Sequence, residues 1–325
     1  MASPTQLELF ADPDAPPTLR EVADAVRVAG IEGLASATER ADHARYQHVH
    51  VKSAVTESKG MPFRWALNPY RGCTHACEYC YARKYQRHLE LGAGDEFSSF
   101  ILVKRNLPAV LHREVTRASW QHELVAVGTA TDPYQPIEGH YKITRQCLEI
   151  LDASNTPFSI VTKGPMVVRD LDVLLRATGR AGCQVFVSIP SVETDAWSRL
   201  EPGTASPQQR LRAVRHLVEA GVDAGVLMMP LVPGITTTPD SISRTIAAIV
   251  EAGVPLHGTN VARLDAGVRE YFFDFLSREY PALVPEYEEL YRKNYADRDY
   301  CTSIRKIVDQ ARARTRRNPA DATTS

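Results

Sequence analysis

Long apolar runs are missing from this 325-residue chain. The longest, such as Val226 to Met229 before Pro230, fall far short of the ~20 residues that a membrane-spanning helix needs, so no such span is expected. An excess of one charge is missing too. Lys and Arg number 38 against 39 Asp and Glu, and the formal charge of −1 draws the molecule to neither nucleic acid nor membrane. Only a local basic patch could serve that purpose. The N-terminus, MASPTQLELFADPDAPP, lacks the basic and apolar regions of a secretory signal, so the cytoplasm is the expected compartment. Cysteine is scarce, and six in the whole chain make no disulfide scaffold. No internal sequence repeat is found. With 44% apolar and 24% charged residues, the composition excludes a mostly disordered chain, collagen and a coiled coil.

Residues 1–45 read as a partly disordered leader, rich in Pro and acids at its start, with a short amphipathic helix over Thr18–Ala29. Tyr46 to Val55 alternates as a strand does, and Glu57-Ser58-Lys59-Gly60 reads as a turn. From Phe63 onward strands and helices alternate. Strands are expected at 63–68, 100–104, 123–129, 158–162, 184–189 and 224–229, and 254–264 offers one more. Helices are expected at 107–120, 141–153, 167–177, 207–220 and 241–252, then at 268–280 and 285–295. Two of these run into Ala-Gly, a common helix stop before a buried strand. Apolar strands alternating with helices imply a parallel sheet with right-handed crossovers. Six such units fit a (β/α)6 barrel, incomplete at its seam, or an open doubly wound sheet. The core is expected over 46–300. Residues 301–325 read as a basic tail, with a solvated helix end before a partly disordered stretch.

Three of the six cysteines stand together in Cys73-Thr-His-Ala-Cys77-Glu-Tyr-Cys80. The segment follows a strand candidate, at the sheet end where parallel α/β folds bind ligands. Three thiolates this close can share one metal centre. A zinc site would ask for a fourth ligand, and His75 has little room to turn onto the same ion. A [4Fe–4S] cluster ordinarily takes four cysteines, one per iron, so three would leave one iron open for a substrate or cofactor. Cys147 shares an apolar helical face with Ile143, Leu148 and Leu151 and reads as a buried core thiol. Cys183 and Cys301 are scattered, too few for a second cluster.

The CxxxCxxC spacing, with aromatic Tyr79 before the last cysteine, resembles the signature of the radical S-adenosylmethionine (SAM) superfamily. The segments NPYRGCTHACEYCYAR (68–83), GTATDPYQPIE (128–138), TKG (162–164), RDLDVL (169–174), VSI (187–189), RLEP (199–202) and PLVPG (230–234) occur in order over roughly 46–300. Together they resemble the spore-photoproduct-lyase-like group, in an actinobacterial type rather than a true photoproduct lyase. The resemblance implies a partial (β/α)6 TIM-type barrel. It implies a [4Fe–4S] cluster on Cys73, Cys77 and Cys80, whose open iron chelates the methionine part of SAM. Reductive cleavage of SAM would give a 5′-deoxyadenosyl radical that takes hydrogen from a substrate, and the protein would supply placement and exclusion of water. By the same resemblance Tyr79 packs beside the adenine, and Thr131, Lys163 and Ser188 contact SAM. A cationic Lys163 suits the methionine carboxylate and hydroxyls can hydrogen-bond it. An external donor of flavodoxin or ferredoxin type is implied, and a nucleic-acid base lesion is the first candidate substrate, with a small molecule or a peptide close behind.

Several readings stay open. Asp132 either orients a neighbouring backbone, binds ribose, or forms an Asx turn before Pro133. Arg199 and Glu201 form an internal ion pair or meet a ligand. Arg71 is expected to bring positive charge near the thiolates. Arg83, Lys84, Arg87 and His88, with Arg71, form a modest basic patch. One departure matters. The lyase carries its hydrogen-donating cysteine at the position of Thr129 in Thr129-Ala-Thr-Asp132, and a threonine O–H bond is too strong for that task. The rivals are an iron–sulfur nucleic-acid-binding protein without catalysis, and a zinc-bearing structural protein.

Overall fold

The computed structural model describes residues 44–89 and 94–317 and the short strand Glu39–Ala41. The helix expected over 18–29, and residues 318–325, lie outside the described residues. In chain order the strands are β1 (Glu39–Ala41), β2 (Ala44–Val49), β3 (Val55–Glu57), β4 (Trp65–Leu67), β5 (Tyr70–Arg71), β6 (Phe100–Lys104), β7 (Val125–Val127), β8 (Phe158–Thr162), β9 (Cys183–Ser188), β10 (Ala224–Leu231) and β11 (Leu256–Val261).

Among the described residues the main sheet runs β3-β4-β7-β8-β9-β10-β11. Strands β4 to β11 in that order are all parallel, and β3 lies antiparallel on the edge of β4. Their spatial order follows the chain without reversal. A doubly wound sheet would reverse at a switch point, so this is the wall of a six-stranded barrel, left unclosed. One face of its strands is covered, while Gln184, Phe186 and Leu227 on the other are exposed or half-buried. Val125, Phe158, Val185 and Val226 are all fully buried, as parallel strands require.

One strand is not where the sequence pattern put it. Phe100–Lys104 was expected to follow β4 in the barrel. It belongs instead to a second sheet, β1-β2-β6-β5, parallel to β2 and antiparallel to β5. Its apolar run is buried in either place, so the run alone does not select its neighbours. The sixth parallel strand is β11. The strand expected over 46–55 is also broken in two. Asn106 receives the Val51 N–H and donates to its carbonyl, and the Glu114 carboxylate takes the N–H groups of Ala54 and Val55. Those bonds hold the stretch between β2 and β3 in place of ladder pairing.

The helices keep closer to expectation. Helix Pro207–Glu219 opens on a capping box of Ser206 and Gln209, and Thr238 caps helix Pro239–Glu251. Gly221 and Gly253 end them at φ +96° and +69°. The boundary drawn at residue 301 falls inside helix Arg298–Arg317. Its Ile304, Val308 and Ala311 recur at helical spacing and are buried on helix Pro239–Glu251, so this stretch is part of the fold. No helix among the described residues is long and apolar enough to cross a membrane.

Candidate radical SAM site

The cysteine loop leaves β5 and is tied down on every side. Cys73 N–H donates to the Phe97 carbonyl at 2.9 Å, and Cys80 N–H to the Cys77 carbonyl at 3.2 Å. Arg83 is fully buried beneath the loop. It donates to the carbonyls of Cys77 (3.1 Å), Ala76 (3.2 Å) and Gly94 (2.8 Å), with its guanidinium 3.9 Å from the Tyr271 ring centroid. From the far side Gly203 N–H reaches the His75 carbonyl at 3.1 Å and Glu78 N–H the Leu200 carbonyl at 3.0 Å. A Cβ on Gly203 would lie 2.3 Å from the Thr74 carbonyl oxygen. Gly203→Ala is therefore expected to push the two loops apart, and bound iron should leave the variant measurably faster under a chelator than it leaves the wild type.

Cys73 and Cys77 are buried and Cys80 half-buried. Burial pushes the Cys77 and Cys80 thiols upward, and neighbouring thiols add to this; Lys163 pulls both down, aided at Cys80 by Arg83. Such thiols need a strong local cation to ionise, which iron supplies. Among the described residues no three His, Cys, Asp or Glu side chains gather round one point as a single ion needs. A cluster that takes one iron per thiolate does not need that. His75 is engaged by two partners, its buried Nδ1 lying 3.2 Å from Asp132 Oδ2 and its ring also meeting Cys73. Asp132 also accepts from Thr162 Oγ1 and the Lys163 N–H, each at 2.6 Å, and from the Tyr134 N–H at 2.9 Å. It is thus both an Asx turn and a clamp on the end of β8.

Lys163 and Ser188 end neighbouring strands, and their side chains meet at 2.5 Å. The ammonium also lies 3.5 Å from Glu201 Oε1 and 5.7 Å from the centroid of the Tyr79 ring. Tyr79 donates its hydroxyl to the same Glu201 oxygen. Arg210, fully buried, grips Glu201 Oε2 and donates to the Ser188 carbonyl at 2.7 Å. Burial alone would raise the Glu201 carboxyl, but Arg210 and then Lys163 hold it at about 2. A small cavity beside Glu201 is walled by Tyr79, Pro190, Ala196, Trp197, Leu200 and Thr236.

Thr131 hydrogen-bonds to a different set of partners. Its hydroxyl proton goes to the Gly72 carbonyl at 2.6 Å, and Gln135 Nε2 donates to its oxygen at 3.0 Å. Gln135 Oε1 then accepts from the Thr74 N–H at 3.1 Å. This pair underpins the cysteine loop. Arg71 differs from expectation as well. Its guanidinium turns to Gln86 and the Tyr85 carbonyl, and the cations that act on Cys77 and Cys80 are Lys163 and Arg83. The basic patch is not free either. Arg83 is internal and Lys84 is paired with Asp265 at 2.5 Å, while the side chains of Arg87 and His88 lie outside the described residues.

Arg199 pairs at the surface with Asp195 and Glu279, both at 3.0 Å, and of the two charged residues of that motif only Glu201 turns inward. Cys147 and Cys183 are buried, far along the chain from the loop, and Cys301 is half-buried on helix Arg298–Arg317. Sequence reasoning missed Gln135 and Arg210, and put Arg83 in a surface patch rather than beneath the loop. An arginine at the Arg210 position, on the apolar side of its helix beside Leu211 and Val214, was the one available signal.

A six-stranded partial barrel with a three-cysteine loop at its mouth defines a radical SAM protein. The chain belongs to the Radical SAM superfamily, which it matches over residues 67–255. That superfamily uses a [4Fe–4S] cluster and SAM, and membership supports an enzyme that cleaves SAM. An uncharacterised protein of Mycobacterium tuberculosis is 36% identical over 271 residues, 82% of this chain and 80% of its own length. A radical SAM Nα-GlyT isomerase of Pseudomonas phage M6 is 26% identical over 173 residues, 53% of this chain and 34% of its own. Among solved structures, a spore photoproduct lyase mutant with bound AdoMet and dinucleoside spore photoproduct shares the fold. Its TM-score is 0.64 at 16% identity, over 86% of this chain and 84% of its own.

Proposed function

We propose that the chain cleaves SAM reductively and uses the product to abstract hydrogen from a nucleobase, in a reaction other than photoproduct lysis. The observation that carries this reading is the convergence of Lys163, Ser188 and Tyr79 beside the loop of buried thiols. Cys73, Cys77 and Cys80 would hold the [4Fe–4S] cluster, which with SAM supplies the 5′-deoxyadenosyl radical. Lys163 holds a positive charge for the methionine carboxylate, and Ser188 adds a hydroxyl. Tyr79 would offer its ring to the adenine beside the Lys163 ammonium. Thr131 acts through the loop it supports. One protein that shares this fold carries a title that points to nucleobase chemistry, the lyase with its dinucleoside spore photoproduct. Thr129 speaks against lyase turnover. Its Oγ1 accepts from Asn68 Nδ2 at 3.1 Å and bears no weak bond to hydrogen. Electrons would come from a flavodoxin or ferredoxin, in the cytoplasm. Binding without catalysis is disfavoured by the internal engagement of Arg83 and Lys84.

The test is 5′-deoxyadenosine formation from SAM by anaerobically purified protein reduced with dithionite. Wild type should form it and Cys77→Ala should not. A reconstituted, reducible cluster protein that binds no SAM and forms no product would overturn the proposal.

A further inference from the structure

In the smaller sheet Arg71 on β5 lies opposite Leu102 on β6, and Tyr70 lies opposite Val103. Side chains alternate along a strand, so Arg71, Leu102 and Lys104 start from one face, with Arg71 and Lys104 as diagonal neighbours. Tyr70, Ile101 and Val103 fill the other face with the core. Every partner that the two cations have is neutral. Arg71 donates to Gln86 Oε1 at 3.3 Å and to the Tyr85 carbonyl; Lys104 Nζ donates to the Asn68 carbonyl at 2.7 Å. Arg64, Arg145, Arg169, Arg176, Arg199 and Arg210 all meet a carboxylate. These two cations meet none among the described residues. Burial and then Arg71 lower the Lys104 ammonium to about 8, as expected of a cation that lacks a counter-charge. Gln86 is fully buried, and the Nε2 of the amide that receives Arg71 has no hydrogen-bond partner. A buried donor left bare costs free energy unless a ligand completes it.

We propose that Arg71, Lys104 and Gln86 form a binding site for a phosphate group carried by the substrate. A guanidinium, an ammonium and an amide N–H supply donors of three kinds with no free acceptor among them, and a phosphate presents more acceptor oxygens than a carboxylate does. The site adjoins the reaction centre. Asn68, whose carbonyl takes Lys104, uses its side chain to hold Thr129 Oγ1 and the Ala130 N–H, at 3.1 and 2.7 Å. A phosphate held there would place an attached sugar and base toward the strand ends that carry Thr129 and Lys163. The inference rests on the nucleobase reading above and narrows that substrate to one still bearing its phosphate.

The probe is a short 5′-fluorescein-labelled single-stranded thymidine oligonucleotide, followed by anisotropy on the reconstituted protein, with thymidine 5′-monophosphate and thymidine as competitors. Arg71→Gln and Lys104→Met should each weaken binding about tenfold or more, the loss expected for one charged hydrogen bond. Each should lower the slope of log affinity against log salt by about 0.7, one phosphate contact on a single strand. The monophosphate should compete at least about tenfold better than thymidine, by the same single-contact reasoning. If the monophosphate matches the oligonucleotide, a nucleotide is the source of the phosphate; if the strand binds far better, nucleic acid is. Wild-type affinity and salt slope in both variants would overturn the site. So would equal competition by thymidine, or weaker binding seen only where the visible absorbance of the cluster is also lost. SAM cleavage by the wild type is read separately. Its absence would sink the enzyme reading, whereas normal cleavage with unchanged probe binding would sink the phosphate site alone.

Discussion

Lys163→Met is expected to weaken SAM binding by about tenfold to a hundredfold, the ~1.5–3 kcal/mol that a hydrogen bond to a charged group contributes. The ammonium is mostly buried, with 13% of its side chain exposed, so water does little to screen what it binds. It is held for that task by Ser188 at 2.5 Å and by Glu201 at 3.5 Å. Methionine keeps the length and the apolar stem and removes only the charge and its donors. Glu201 would still be paired with Arg210, so the loss should fall on the ligand and not on the fold. Arginine at this position should not restore binding, because its planar fork cannot occupy the place of a compact ammonium between a hydroxyl and a carboxylate. Calorimetric titration of SAM into protein of equal iron content measures the effect. An unchanged dissociation constant in Lys163→Met would remove this residue from the site.

The residues behind that prediction were legible in sequence for a definite reason. Lys163 and Ser188 end apolar runs, and a polar residue closing a buried strand of a parallel sheet must emerge at the mouth of the fold. The cysteine loop was legible through its spacing. What the sequence did not reveal was which pairs of segments meet. Phe100–Lys104 has the apolar pattern of a barrel strand, yet β2 and β5 claim it, because Tyr46 and Tyr70 lie against Ile101 and Val103. The pairing of Glu201 with Arg210 joins a loop to a helix across nine positions, and no local period reports it. The expected patch failed for a related reason. Arg83 looks like a surface residue on a basic helix, but the 3₁₀ helix Tyr81–Leu89 turns it under the cysteine loop, where bare carbonyls need a donor.

Arg210→Met should cost about 3–5 kcal/mol of stability, the price of leaving one member of a buried ion pair without the other. Arg210 and Glu201 are both buried, and only Lys163 and the Tyr79 hydroxyl would remain to compensate the carboxylate. The pH dependence separates this from a simple packing loss. In the wild type the Glu201 carboxyl is held at about 2, below the ~4.3 of an unfolded chain. Its contribution is therefore fully present above about pH 4.3 and is lost as the pH falls toward 2. Without Arg210, burial dominates and the folded-state value rises above the unfolded one. The sign then reverses: the variant carries its largest penalty at neutral pH and recovers as acid neutralises Glu201. Denaturant unfolding of wild type and variant at neutral and mildly acidic pH should show the gap narrowing on acidification. A gap independent of pH would mean that Arg210 acts by packing alone. The double variant Glu201→Gln with Arg210→Met should regain much of the stability, since no buried charge is then left unpaired. It should still bind SAM poorly, because Lys163 and Tyr79 would have lost the carboxylate that sets them beside the cysteine loop.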